Sequence, residues 1–234
     1  MSLYVLCDTH LSTELDKPMD VFGGRWNGFE EKLRERWNST VGDDDTVVVG
    51  GDISWAMMLD DAIEDIRFIN ALKGRKIFIR GNHDYWWESL KKMRQCFDEN
   101  GFDTIEFLQN DSHLCGDIAV CGTRGWFADA RQAPKGTDYA KISAREAQRL
   151  EMSLDHAAKN YPDARRVVFL HLPPVFGGEM CEPIAKVLEE RGVEKCYYGH
   201  IHGVYDIPQS ECVNGVLYTL ASSDYLNFTP LMVK

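Results

Sequence analysis

Lys76-Ile77-Phe78-Ile79-Arg80-Gly81-Asn82-His83-Asp84 is the stretch on which the reading of this chain turns. Its opening residues, Lys76–Arg80, carry the β-branched and aromatic side chains of a strand, and Gly81 stops it. Side chains able to bind metal or move a proton follow at once. Four further apolar runs end in the same way. Leu3–Cys7 leads into Asp8-Thr9-His10, and Thr46–Gly50 into Gly51-Asp52. Arg166–Leu170 leads into His171, and Lys195–Tyr198 into Gly199-His200-Ile201-His202. In α/β folds the carboxyl ends of strands form the crevice where ligands bind. Five such strands would deliver Asp, Asn and His to one rim. The chain has seven histidines, and five of them (His10, His83, His171, His200 and His202) fall at these strand ends. Histidine used as filler would not concentrate in this way.

Working outward, strands are also predicted at Ile105–Leu108, Ile118–Gly122 and Val216–Leu220. Helices are predicted near Gly28–Trp37, Leu59–Leu72, Glu88–Glu99, Tyr139–Asn160 and Pro183–Arg191. The longest repeats its apolar residues (Ile142, Ala147, Leu150, Leu154 and Ala157) at helical spacing, with Asp138 placed to cap its start. Short apolar runs alternating with amphipathic stretches are the signature of an α/β fold. There is no internal repeat, low-complexity tract or Pro/Ser-rich linker, so residues 1–234 are expected to form a single domain. Longer irregular stretches lie at Ser12–Asn27, Phe127–Thr137 and Pro173–Met180. Loops of that length are often functional.

Composition narrows the function. The 234 residues are 44% hydrophobic and 27% charged, an ordinary globular balance for a chain long enough to bury a core without disulfides. Lys plus Arg number 26 against 37 Asp plus Glu, a formal net charge of −11. That surface repels nucleic-acid phosphates and anionic lipid at long range, which argues against a general nucleic-acid binder. No apolar run approaches the roughly 18 residues of a membrane span. The start, Met1-Ser2-Leu3-Tyr4-Val5-Leu6-Cys7-Asp8, lacks a basic segment and is too short in apolar residues for a signal peptide. The seven cysteines are irregularly spaced and several sit inside strand-like runs. Reduced, buried thiols and a cytoplasmic location are therefore expected.

Taken singly, each motif has an ordinary use, since an Asp after a strand can cap a helix and a lone His can sit satisfied in a turn. Together and in this order they resemble the calcineurin-like metallophosphoesterase superfamily, whose signature is D-x-H, G-D, G-N-H-D/E, H and G-H-x-H. The motifs run from residue 8 to residue 202, nearly the whole chain, and the sequence looks closest to small bacterial predicted phosphohydrolases. The resemblance implies a four-layer α-β-β-α sandwich with two mixed sheets. It also implies a binuclear metal centre held by Asp8, His10, Asp52, Asn82, His171, His200 and His202. In that scheme Asp52 bridges, one metal takes Asp8, His10 and His202, and the other takes Asn82, His171 and His200. The count agrees, because seven residues with one bridge supply four ligands to each of two metals. Mixed imidazole and carboxylate ligands suit two divalent transition metal ions, Mn, Fe, Zn or Ni, better than Ca or Mg.

The implied chemistry is hydrolysis of a small phosphomonoester or phosphodiester. A metal-bound hydroxide would attack phosphorus in line, and no covalent enzyme intermediate would form. Two divalent ions, two carboxylates and one hydroxide leave about +1 at the site, enough to draw in an oxyanion on an acidic protein. His83 is the candidate acid for the leaving group, and Asp84 either orients it or closes a turn. Arg80-Gly81-Asn82-His83 looks like the R-G-N-H of Ser/Thr protein phosphatases. However, Gly51-Asp52-Ile53-Ser54-Trp55-Ala56 lacks the phosphate-binding arginine of their G-D-x-x-D-R-G. Arg124, in Gly122-Thr123-Arg124-Gly125-Trp126, is the candidate replacement. Trp26, Trp55, Tyr85, Trp86, Trp87, Trp126 and Tyr225 fall in the same loops, where they could wall a substrate or pack helix on sheet. A nucleotide phosphodiesterase or nuclease, a protein phosphatase, and a non-catalytic scaffold are the competing readings. The scaffold fits poorly, because every ligand position and His83 are present.

Overall fold

The computed structural model describes residues 1–13, 17 and 19–234, so part of the Ser12–Asn27 stretch lies outside the described residues. In chain order the elements begin with β1 (Leu3–Leu6), α1 (Phe29–Thr40), β2 (Thr46–Val49), α2 (Ile63–Asn70), β3 (Arg75–Phe78), α3 (Leu90–Asn100), β4 (Ile105–Phe107), β5 (Ser112–Cys115) and β6 (Ile118–Thr123). They continue with α4 (Tyr139–Asn160), β7 (Arg165–Leu170), β8 (Val175–Phe176), β9 (Glu179–Met180), α5 (Glu182–Glu190), β10 (Lys195–Tyr198), β11 (Ser210–Val213), β12 (Val216–Leu220) and β13 (Leu231–Met232). Asp138 caps α4 as expected, its side chain accepting the Lys141 N–H at 3.0 Å.

The first sheet has the order β13-β1-β2-β3-β4 and the second β11-β12-β10-β7-β6-β5. β1 to β4 are parallel, with Leu3 opposite Thr46, Thr46 opposite Arg75 and Lys76 opposite Ile105. β13 closes that sheet antiparallel on β1. In the second sheet β12, β10, β7 and β6 are parallel, and β11 and β5 are antiparallel edges. β8 and β9 form a separate hairpin.

The layering follows from period-two alternation along the strands. Tyr4, Leu6, Val47, Val49 and Phe78 face one way and pack with Trp37 of α1, Ile66 of α2 and Phe97 of α3. Their neighbours Leu3, Val5, Val48 and Ile77 face the other way. There they meet Ile118, Val120, Val167, Phe169 and Tyr197 of the second sheet. The remaining faces of those strands, through Ala119, Cys121, Val168, Leu170, Cys196 and Tyr198, pack with Leu150 and Leu154 of α4 and with Ile184 and Leu188 of α5. The chain is thus a four-layer α-β-β-α sandwich, with an apolar seam between two mixed sheets.

The two sheets are joined at the carboxyl ends of their parallel strands. Cys7 forms a parallel bridge with Ser222, donating its N–H to Ala221 O and accepting that of Ser223, both at 2.9 Å. The loops that follow β1, β2, β3, β7, β10 and β12 therefore open onto one rim. The described residues contain no helix long and apolar enough to cross a membrane.

Candidate metal centre

Asp8 and His10 leave β1, Asp52 leaves β2, Asn82 and His83 leave β3, His171 leaves β7, and His200 and His202 leave β10. The loops are tight enough to force unusual backbone. Asp8, His10, Asp52 and His200 all have positive φ, at 63°, 44°, 49° and 70°. Non-glycine residues in this region cost of order 1–3 kcal/mol each, and they persist where the surroundings over-determine them. Glycines clear the space. A Cβ on Gly199 would fall 2.5 Å from Asp8 Oδ2, and one on Gly51 would fall 2.8 Å from His171 Nδ1 and from the Gly81 backbone.

Two triads of donor atoms converge, Asp8 with His10 and His202, and Asp52 with His171 and His200; within each, the atoms lie within 4.8 Å of one another. Asp52 Oδ2 stands between the two, 3.8 Å from His10 Nε2 and 3.3 Å from His171 Nε2. Its other oxygen, Oδ1, accepts the His83 backbone N–H at 2.7 Å. Asn82 Oδ1 lies 2.8 Å from His171 Nε2, on the second triad's side. The Asp8 carboxylate is fixed by the His200 backbone N–H, at 2.9 Å to Oδ2.

The donor chemistry fits a pair of cations. Asp8 and Asp52 are fully buried, and among the described residues their only charge partners are histidines. Burial works against the Asp52 charge, yet His171 and His10 hold its carboxyl well below the usual range. Burial likewise opposes charge on His202 and His171, but Asp8 and Asp224 push the former up to about 10, and Asp52 and Asp8 push the latter up to about 9. His10 and His200, where burial dominates, fall to about 4. The carboxylates' field thus draws protons onto imidazoles that a metal would take instead. His10 Nε2 and His202 Nε2 sit 3.2 Å apart, and sharing one cation suits that contact better than two protonated rings.

Asp224 escapes notice in the sequence. Its Oδ1 lies 2.9 Å from His202 Nδ1, and its Oδ2 accepts the Gly203 N–H and the Tyr205 hydroxyl at 2.9 and 3.0 Å. It is fully buried and fixes the orientation of the His202 ring. It follows the carboxyl end of β12, one more strand that leads to this rim, in a Ser222-Ser223-Asp224 stretch that reads in the sequence as a turn.

His83 is half-buried and faces the same cavity, its ring 6.0 Å from that of His10 and 4.6 Å from Trp55. Among the described residues that ring makes no hydrogen bond. Asp84 does not orient it. The Asp84 carboxylate is taken up by the N–H groups of Gly81 and Asp52 on Oδ2, at 2.7 and 2.9 Å, and by Ile53 N–H and Trp86 Nε1–H on Oδ1, at 2.8 and 3.0 Å. Burial, then the Asp52 charge, raises its carboxyl to about 6 against those bonds. Asp84 therefore laces the β2 and β3 loops together.

A cavity of about 200 Å³ faces the triads, walled by Met19, Phe22, Trp26 and Trp55 together with the histidines. Trp55 stacks on His10 at 4.7 Å and 22°. Phe127 closes edge-on against His200 at 5.4 Å. Of the other aromatics singled out, Trp86, Trp87 and Trp126 are buried in packing, Tyr85 is exposed, and Tyr225 donates its hydroxyl to Ile207 O. Arg80 and Arg124 do not join this cavity; they line a separate one. The expectation that Arg124 meets a phosphate at the metals is corrected here. Its carbonyl accepts the N–H groups of His171 and Leu172, and its guanidinium turns toward Glu146.

Solved structures of similar fold cover almost the whole chain at low identity. A protein from Thermus thermophilus matches with a TM-score of 0.62 at 12% identity, over 99% of this chain and 97% of that one. A phosphopantetheinyl hydrolase from Mycobacterium tuberculosis matches with 0.56 at 14%, over 99% and 95%. A protein of unknown function from Aquifex aeolicus matches with 0.54 at 17%, also over 99% and 95%. No curated protein matches this chain. The pattern that defines the calcineurin-like phosphoesterases fits residues 1–204, from β1 through both histidines after β10. With that span of the sequence and the two-sheet frame in agreement, the chain belongs to the calcineurin-like phosphoesterase family, hydrolases of phosphoester bonds.

Proposed function

We propose that this protein hydrolyses a small phosphoester at two divalent transition metal ions held by the two triads, with Asp52 between them and His83 as the acid for the leaving group. The observation that carries this reading is the Asp52 carboxylate. One oxygen faces both triads, while the other accepts the backbone N–H of His83. That arrangement ties the position of the acid to that of the bridge. When bound, the ions supply Lewis acidity toward phosphoryl oxygens and make a water acidic enough to attack at neutral pH. The chain's residues do the rest. Asn82 and His171 fix one side of the site, and His10 and His202 fix the other. His83 presents a ring without a protein partner to the cavity, where it can hand a proton to a departing alkoxide.

The small cavity and its aromatic wall favour a compact ester with an apolar or planar leaving group over a phosphoprotein. The substrate would be a small phosphorylated compound, with no nucleic-acid track, and its metals Mn, Fe, Zn or Ni. The test is turnover of p-nitrophenyl phosphate and bis(p-nitrophenyl) phosphate by metal-quantified protein, with and without Mn²⁺. His83→Ala is expected to keep its metals and to lose roughly 10²–10⁴-fold in kcat. Full activity in that variant would remove His83 as the acid.

A further inference from the structure

The second cavity, about 300 Å³, opens where β3 and β4 of one sheet meet β6 and α4 of the other. Four arginines line it: Arg80, Arg124, Arg145 and Arg149. It shares no lining residue with the metal-facing cavity. Among the described residues one acid stands on its wall, Glu88, and it is held by Lys92 Nζ at 2.7 Å; a second, Glu146, lies behind the wall. Glu146 is fully buried and has three arginines to itself, Arg149 Nη1 at 2.9 Å, Arg124 Nη2 at 3.6 Å and Arg145 Nε at 3.8 Å. Its remaining oxygen takes the Thr123 hydroxyl at 2.7 Å. With the buried Glu146 counted, four guanidiniums against two carboxylates leave a formal +2 around this cavity in a chain whose net charge is −11.

That excess is more than structure needs. A buried carboxylate is satisfied by one or two guanidiniums. Here Arg124 Nε is buried without a partner. Arg80 arrives from the opposite sheet and makes no ion pair or hydrogen bond among the described residues. The free Arg80 guanidinium, beside three others that share a single carboxylate, leaves N–H donors facing a polar cavity, a match for the oxygens of a tetrahedral oxyanion. Gln109 and Asn110 add amides on the same wall.

We propose that this pocket binds a phosphate group other than the one hydrolysed. The group is either a second phosphate of the substrate or free orthophosphate. The pocket also has a path to the metal centre. Arg80 lies two residues before Asn82, and the Arg124 carbonyl holds the N–H of His171 at 3.1 Å. An anion that reorders either arginine therefore pulls on the backbone of two metal-binding residues.

The binding test does not depend on the hydrolase reading. Full-length protein, stripped of metal by a chelator, is titrated with inorganic phosphate at low salt. One phosphate is expected to bind per chain, more weakly as salt rises. Arg80→Gln and Arg145→Gln, both at exposed side chains, should each weaken binding about tenfold with unchanged circular dichroism. No binding at 10 mM phosphate (roughly the limit of a useful charge-assisted site), or equal binding in both variants, would overturn the proposal. The source is read from the metal-loaded enzyme, an arm that rests on the proposed activity. A KM rise in Arg80→Gln confined to esters carrying a second phosphate marks the substrate's own group. An effect of free phosphate on p-nitrophenyl phosphate turnover that Arg80→Gln removes marks orthophosphate. Intact phosphate binding with no turnover on any ester would sink the hydrolase reading and leave this site standing.

Discussion

Asp224 shows how a residue that touches no reacting atom can set the quality of a metal site. It holds His202 Nδ1 at 2.9 Å and so aims the other ring nitrogen toward Asp8 and His10. Asp224→Ala is expected to weaken metal affinity about 10–100-fold, measured by competitive titration with a chromophoric chelator; unchanged affinity would show that packing alone orients the ring. Gly199 allows a sharper test. Gly199→Ala puts a methyl 2.5 Å from both Asp8 Oδ2 and Cys7 Cβ and is expected to abolish metal uptake at that triad, as read by metal content, with circular dichroism separating loss of the site from loss of the fold. The carboxylates and imidazoles of the site were legible because each ends an apolar run, and strand ends are where α/β chains present polar groups. Asp224 was not, because Ser222-Ser223-Asp224 reads as an ordinary turn. Nor was the separation of Arg124 from the metals. Sequence places its Cα at a strand end but cannot say that Glu146, far along the chain on α4, captures the guanidinium.

At the scale of elements, β3 carries both a site and a cost. Lys76 is fully buried and gives its ammonium to the carbonyl of Asn70 and the hydroxyl of Thr104, at 3.1 and 3.0 Å, and to the carbonyl of Leu72. Burial lowers its pKa to about 8 from an ordinary value of 10.5. Below pH 8 both folded and unfolded chains hold the proton, so the burial penalty is present in full. Between pH 8 and 10.5 the folded chain sheds the proton and the unfolded chain keeps it, so this group raises stability as pH rises. Denaturant melts at pH 7 and pH 10 should show wild type gaining on Lys76→Met, by at most about 3 kcal/mol. A pH-independent difference would mean that Lys76 stays charged throughout. The eight strands expected from the sequence are all present, and the helix at Tyr139–Asn160 has the expected bounds. Five strands were missed: β8 and β9, a short hairpin within the Pro173–Met180 stretch expected to be irregular, and the three outer strands β5, β11 and β13, which share one reason. They are edges held by partners rather than by their own alternation, Ser112–Cys115 and Ser210–Val213 through hairpins and Leu231–Met232 through β1 far away in sequence. The stretch Leu59–Leu72 begins instead with a 3-10 turn at Asp60–Ala62, because its first carbonyls bond three residues ahead.

Over the whole molecule, two sheets that are each apolar on both faces supply stability, and the rim between them supplies the site. Metal bound at that rim binds the folded chain alone, so it should stabilise the whole fold. At free metal about 100-fold above Kd the gain is about 2.7 kcal/mol, or roughly 5–10 °C in Tm for a chain of this size. Scanning calorimetry before and after chelation is expected to show that drop, with recovery on adding Mn²⁺; identical traces for metal-loaded and stripped protein would argue against tight metal binding by the fold. The bridge between Cys7 and Ser222 has a further meaning for how the chain is made. Asp8 is synthesised 192 residues before His200, whose N–H fixes its carboxylate, and before the β12 segment that closes over Cys7. A growing chain can lay down β1 to β4 early, yet it holds two acidic side chains with no imidazole from the second sheet to share a cation. A chain stalled before β10 would lack His200 and His202, so neither triad would be complete, and the apolar seam would lack Tyr197.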